Sequence, residues 1–311
     1  MKYEIKIDKA KEEKGQIDLK RIEIIAHSIL HVAEGALQIR LGSISYSKGR
    51  KPANIQDALS VRLVGIKKGS TILEFECEPF SESLKGGQLD AFKNDSNENL
   101  PNQTPVSLFI HSFQDALDEN SSKDNLDKPL LKELKNFKKA WLRPEEMIIF
   151  SNQGSLPDLN LEIKSFQKIA VLEDETPNPQ SMIINGVVEL MEYSKGRVRI
   201  ITETGAVEAF LGNDLKQEQI QGFWGKDVTI AGTANYRPGG KLGFVMIDRI
   251  FKPGKGDEYF SKKKNIETVE QQIQRQWKEG GYKNHLSEIV GNWPGDETDE
   301  EFEEMLKMLT K

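Results

Sequence analysis

The sequence predicts an α+β domain, then a small all-β barrel, then a helical acidic tail. Three observations carry this reading. Within residues 1–172, segments of alternating apolar residues are mixed with segments of helical spacing, without the strict alternation of an α/β chain. Residues 181–253 hold five short alternating segments separated by glycine-containing turns. Residues 288–311 carry eight acidic and two basic side chains, a net −6 that equals the formal charge of the whole 311-residue chain.

Tyr3, Ile5 and Ile7 alternate and predict a strand. From Ile17 to Leu41, residues Ile22, Ile25, Ile29, Val32 and Ala36 fall on one helical face, and Gly42 ends the run. Ser60–Glu78 reads as a hairpin with Val61 and Leu63 facing inward on one strand and Leu73, Phe75 and Cys77 on the other. Ser81–Thr104 is a long polar loop of the kind that is disordered or functional. Two helices follow, one on Val106, Phe109, Ile110, Phe113 and Leu117, the other on Leu130, Leu134, Phe137 and Trp141, stopped by Arg143-Pro144. Strands are expected at Met147–Ser151 and from Leu159 through Leu161 and Ile163 to Leu172. Residues 173–180 are acidic, hold two prolines and read as a linker.

The barrel segment reads as strands Ile183–Met191, Arg197–Thr202, Ala206–Leu211, Lys226–Tyr236 and Leu242–Phe251, with a short helix at Leu215–Phe223. Five strands with a helix between the third and fourth is the order of an OB-fold. The runs Gly186-Val187-Val188-Glu189-Leu190 and Gly205–Leu211 resemble OB domains of the nucleic-acid type. That likeness implies a single-strand site in the first and last hairpin loops, where Tyr193, Lys195, Arg197, Tyr236, Arg237 and Lys241 would supply rings for stacking and cations for phosphates. Residues 254–284 hold a second linker and an amphipathic helix with Ile266, Val269, Ile273 and Trp277 on one side.

The tail, residues 285–311, is expected to be helical from its own chemistry. Thr298 and Glu301 form a capping box, and Phe302, Met305, Leu306 and Leu309 recur as one apolar stripe. The run Leu286–Glu301, which contains Trp293-Pro294-Gly295-Asp296-Glu297-Thr298, resembles the toxin-neutralising peptide of small bacterial antitoxins paired with PIN-domain ribonucleases. The resemblance implies a PIN-type ribonuclease toxin as partner, held by Trp293, Pro294, Asp296, Thr298, Glu301, Phe302, Met305, Leu306 and Leu309. Many such antitoxins push an arginine or lysine into the toxin's metal site; beyond Arg275 this chain has only Lys278, Lys283, Lys307 and Lys311 as cations of that kind, and in the tail only the last two.

Other chemistry has little support. No Ser/His/Asp order, phosphate-cradling glycine loop or paired-carboxylate motif stands out, so no enzymatic activity, catalytic residue or cofactor is expected. His27 and His31 stand at metal-ligand spacing, but their face also holds Glu23, Glu34 and Gln38 and reads as a solvated helix face, so no metal is expected. The single Cys77 suits a reducing cytoplasm. No run of eighteen apolar residues predicts a membrane span, and the first residues lack the apolar core of a signal peptide. The chain therefore reads as a cytoplasmic, antitoxin-like binding protein; the alternative is a single-stranded nucleic-acid-binding OB protein whose acidic tail is autoinhibitory or recruits partners.

Overall fold

A computed structural model describes residues 1–12, 15–41, 45, 53–67, 71–83, 99–152, 159–192, 196–212, 215, 218, 220–262 and 266–278. Residues 1–266 form one compact unit and residues 267–311 belong to a second. The first unit contains two hydrophobic cores, one in the N-terminal half and one inside a barrel.

The N-terminal half is an antiparallel sheet covered by helices. Its strands are β1 (Lys2–Asp8), β2 (Val61–Lys67), β3 (Thr71–Cys77), β4 (Met147–Asn152) and β5 (Leu159–Glu162), in the order β2-β3-β1-β4-β5. Period-two alternation sends Tyr3, Ile5, Ile7, Leu73, Phe75, Ile148, Phe150 and Leu161 to the buried face. The helices are α1 (Leu19–Arg40), α2 (Ala53–Ala58), α3 (Phe80–Ser83), α4 (Pro105–Leu117), α5 (Lys128–Asn136) and α6 (Ser165–Asp174). Short polar side chains start them: Asp18 accepts from Lys20 N, Thr104 and Ser107 form a reciprocal capping box before Pro105, and Asp127 accepts from Leu130 N. Phe109 on α4 packs against Phe113, Phe137 and Phe150 with ring centroids 4.9–5.2 Å apart. By length and composition α1 could cross a membrane, yet it packs against α4, α5 and the turn Phe137–Ala140 and buries Arg21, Ser28 and Gln38 with its apolar residues.

One buried ionic network joins these elements. Arg21, 2% exposed, donates from Nε to the Ala140 carbonyl (2.8 Å) and from Nη2 to Glu146 Oε2 (2.7 Å). Its Nη1 reaches Glu12 Oε2 at 2.5 Å. Glu146 in turn accepts from Lys11 N and Leu142 N, both at 2.9 Å, while its carbonyl accepts from the Trp141 indole. A buried carboxylate and guanidinium persist here because nearly every lone pair and N–H has a partner.

Three expectations need correction. The strand expected to continue from Ile163 to Leu172 is helix α6, because Phe166 and Ile169 stand three apart, a helical spacing that buries both on one side. Leu63 shares the face of Phe75 but is 43% exposed, since β2 is the sheet edge and a register shift between Leu63 and Gly65 bends it. Residues 173–180 are not a free tether. Thr176 is fully buried, its hydroxyl donates to Leu172 O (2.7 Å), its carbonyl accepts from Lys128 Nζ (2.8 Å), and Glu173 pairs with Lys135. Most of the loop expected over Ser81–Thr104 lies outside the described residues.

The barrel is closed. Its strands are β6 (Gln180–Glu192), β7 (Arg197–Thr202), β8 (Gly205–Leu211), β9 (Asp227–Tyr236) and β10 (Leu242–Phe251), in the order β10-β8-β7-β6-β9, with β10 and β9 paired and β10 parallel to β8. Bulges in β6 and twice in β10 let so few strands curl shut. Two glycines permit close backbone approaches between its strands. A Cβ on Gly186 would lie 2.3 Å from Ile201 O, and one on Gly232 would lie 2.1 Å from Met246 O. Of the helix expected over Leu215–Phe223, the described residues include a 3-10 turn at Gln221–Phe223. In the second unit, α7 (Val269–Lys278) opens on a capping box between Thr268 and Gln271. Ile266, expected on that helix face, packs instead against the barrel core.

Arg21→Ala should cost about 3–5 kcal/mol of unfolding free energy, the usual penalty for leaving a buried charge without its partner. Gly232→Ala should cost about 3 kcal/mol, because the Met246 carbonyl cannot yield without breaking the ladder. Urea unfolding followed by circular dichroism measures both; a loss under about 1 kcal/mol for Arg21→Ala would remove the network from its structural role.

Candidate functional site

The proposed partner-binding residues Trp293, Pro294, Asp296, Thr298, Glu301, Phe302, Met305, Leu306 and Leu309 lie outside the described residues, as do Tyr193 and Lys195. Four of the proposed nucleic-acid residues are described: Arg197, Tyr236, Arg237 and Lys241. The fold gives each of them an internal partner or a buried position.

Arg197 starts β7 with its side chain 13% exposed, and its Nε donates to Glu208 Oε2 at 2.7 Å. Arg199, two residues along the same strand face, donates to the other oxygen of Glu208, also at 2.7 Å. The register puts Glu208 directly opposite Arg199 on β8. One carboxylate is thus clamped by two guanidinium groups. Burial pushes the Glu208 carboxyl up, but the two arginines outweigh it and hold the group below its ordinary range.

Tyr236 ends β9 inside the barrel core, 3% exposed. Its ring packs among apolar side chains and so offers no face for stacking on a base. Its hydroxyl is buried without a hydrogen-bond partner, and desolvation raises its pKa. Arg237 and Lys241 bracket the β9–β10 turn, held by a hydrogen bond from Arg237 N to Lys241 O. This turn is fastened to the segment before α5: Arg237 Nη1 donates to Leu126 O (3.4 Å), and Lys241 pairs with Asp124 at 2.7 Å. The sequence placed these three residues in an open nucleic-acid loop. In the fold Tyr236 is core, and Arg237 and Lys241 form a joint between barrel and N-terminal half, because Asp124 and Asp127 stand opposite them. No pattern in a single sequence opposes a loop near residue 124 to a turn near residue 239.

Composition gives no hint of the barrel's exposed apolar patch. Val187 and Ile201 are cross-strand neighbours on β6 and β7, 44% and 37% exposed. Trp224 is 69% exposed and donates from its indole to Glu189 O at 3.3 Å, which holds it beside the same strand. Adjacent exposed apolar groups of this kind suit a protein contact better than a phosphate backbone. On α1, the rings of His27 and His31 are 3.9 Å apart. Among the described residues, no group of three or more His, Cys, Asp or Glu side chains is placed to hold a metal. His111 lies between α1 and its own helix α4, where burial and the charge of Arg40 lower its pKa. Burial likewise pushes the Cys77 thiol up, away from the reactive thiolate form.

The joint makes stability depend on acid. Burial pushes the Asp124 carboxyl up, but hydrogen bonds from Lys241 and Ser122 and the charges of Lys241 and Arg237 prevail and hold it below its ordinary range. Its contribution is complete above the unfolded pKa of about 3.9 and is lost as pH falls through the lower folded value. Wild type should therefore lose more stability than Asp124→Asn as pH falls from about 5 to about 2. At neutral pH, Lys241→Ala should cost less than about 1 kcal/mol, because both partners are more than half exposed. Thermal unfolding across this pH series checks both outcomes; identical acid curves for wild type and Asp124→Asn would count against the joint. No protein-family model matches the chain, and no curated protein or solved structure is measurably similar to it.

Proposed function

We propose that this protein is an antitoxin-like binding protein, without catalysis of its own, whose C-terminal segment engages a PIN-type ribonuclease. The observation that carries the reading is the sequence Leu286–Glu301 followed by the stripe Phe302, Met305, Leu306 and Leu309, within a segment that concentrates the chain's whole net charge. An apolar stripe behind an anionic helix start is chemistry for a groove on a basic partner. The pairing of three of the barrel's described cations also favours a protein partner: Arg197 and Arg199 serve Glu208, and Lys241 serves Asp124. The body would then be a carrier that positions the segment. A buried, unreactive Cys77 suits a cytoplasmic setting.

A second reading keeps one observation of its own. The barrel's strand order, with the third strand parallel to the fifth, is that of an OB-like barrel. In this reading the outer face of β7 and β8 binds single strands once Glu208 releases its two arginines.

Calorimetry with a purified PIN-type ribonuclease from the gene neighbourhood tests the first reading. Deletion of residues 285–311 should abolish binding and leave thermal stability unchanged. Trp293→Ala and Phe302→Ala should each weaken binding by about 2 kcal/mol or more, as buried aromatic anchors do, and Glu303→Ala should change it little. Undiminished binding by the truncated chain would sink the reading. For the alternative, Glu208→Ala should raise affinity for a labelled single-stranded oligonucleotide in a salt-sensitive manner; no binding by either form removes it.

A further inference from the structure

A cavity of about 730 Å³ lies inside the first unit, between one face of α1, the start of α5, the segment joining α6 to β6, and the end of β9. Its size falls in the range of small-molecule sites, and a junction between two cores is a common place for one. None of the functions discussed above uses it.

The walls set the chemistry of an occupant. Pro129, Leu130 and Pro177 supply apolar surface. Four carboxylates, Glu34, Asp127, Glu133 and Glu173, face two ammonium groups, Lys128 and Lys132, so the lining is net negative. Much of this charge is already used. Asp127 accepts from Ser45 N, Ser45 Oγ and Leu130 N. Glu173 pairs with Lys135, and Lys128 donates to Thr176 O. Glu133, one turn after Pro129 on the same face of α5, makes no hydrogen bond or ion pair with any described residue. A carboxylate without a partner, above an apolar floor, in a concavity with excess negative charge, concentrates cations.

We propose that this cavity binds a small organic cation with a hydrocarbon body, of the alkyl- or arylammonium class. The ammonium group sits against Glu133, and the body lies on Pro129, Leu130 and Pro177. Lys132 opposes the cation and moderates its affinity.

Two probes with the same ring and opposite charge test this on the full-length protein. In calorimetric titration, 2-phenylethylamine should bind saturably and phenylacetate should not. Glu133→Gln should weaken the amine about tenfold, the scale of one charge-assisted hydrogen bond, and Lys132→Ala should tighten it. Asn178→Trp, at an exposed position on the cavity wall, should block binding with no change in melting temperature. Absence of saturable binding by the amine, equal binding of both probes, or an affinity unchanged by Glu133→Gln would each overturn the proposal.

Discussion

The buried guanidinium of Arg21 is the constraint on which the N-terminal half depends. It joins four separate pieces of chain: the segment after β1 through Glu12, the start of α1, the end of the α5 region through Ala140, and the approach to β4 through Glu146. Each piece would otherwise leave polar groups in a dry interior. The network satisfies the Leu142 and Lys11 amides as well as the two charges. Breaking any member would strand the others, so the network specifies one arrangement of helix over sheet more sharply than apolar packing alone.

That arrangement sets what the rest of the unit can do. With α1 and α5 fixed over the sheet, the segment before α5 presents Asp124 and Asp127 toward the β9–β10 turn. The turn is then a fastening and not a free grip. A parallel logic holds on the barrel surface, where Glu208 takes up Arg197 and Arg199. Arg197, Arg199 and Lys241, which look available in a list of residues, are thus spent on internal acids. The apolar trio Val187, Ile201 and Trp224, and the cavity beside α5, are surfaces that the fold leaves open.

Local periodicity decided most of the architecture. Strict alternation in β1, β3 and β7, and the spacing of Val106, Phe109, Ile110 and Phe113 in α4, are legible because each segment buries one face and the pattern records which. Where one period gives way to another, the boundary is easily misread: the alternation of Leu159, Leu161 and Ile163 passes into the three-residue spacing of Phe166, Ile169 and Leu172, which belongs to α6. Edge position is also silent in the sequence. Leu63 and Phe75 have the same alternation, but only Phe75 has strands on both sides and a helix layer above it.

By itself, then, the sequence determined most of the N-terminal elements, the barrel's strands and the separation of negative charge into the last residues, since composition and short-range spacing are local properties of the chain. Tertiary structure alone decided which charged and aromatic side chains are occupied. Tyr236 becomes core, Arg237 and Lys241 become a joint, and Arg21 becomes the buried centre of the N-terminal half. The physical reason is that a charge's partner is set by contacts across many residues of chain, such as the 117 separating Lys241 from Asp124, and those contacts leave no periodic trace at either position.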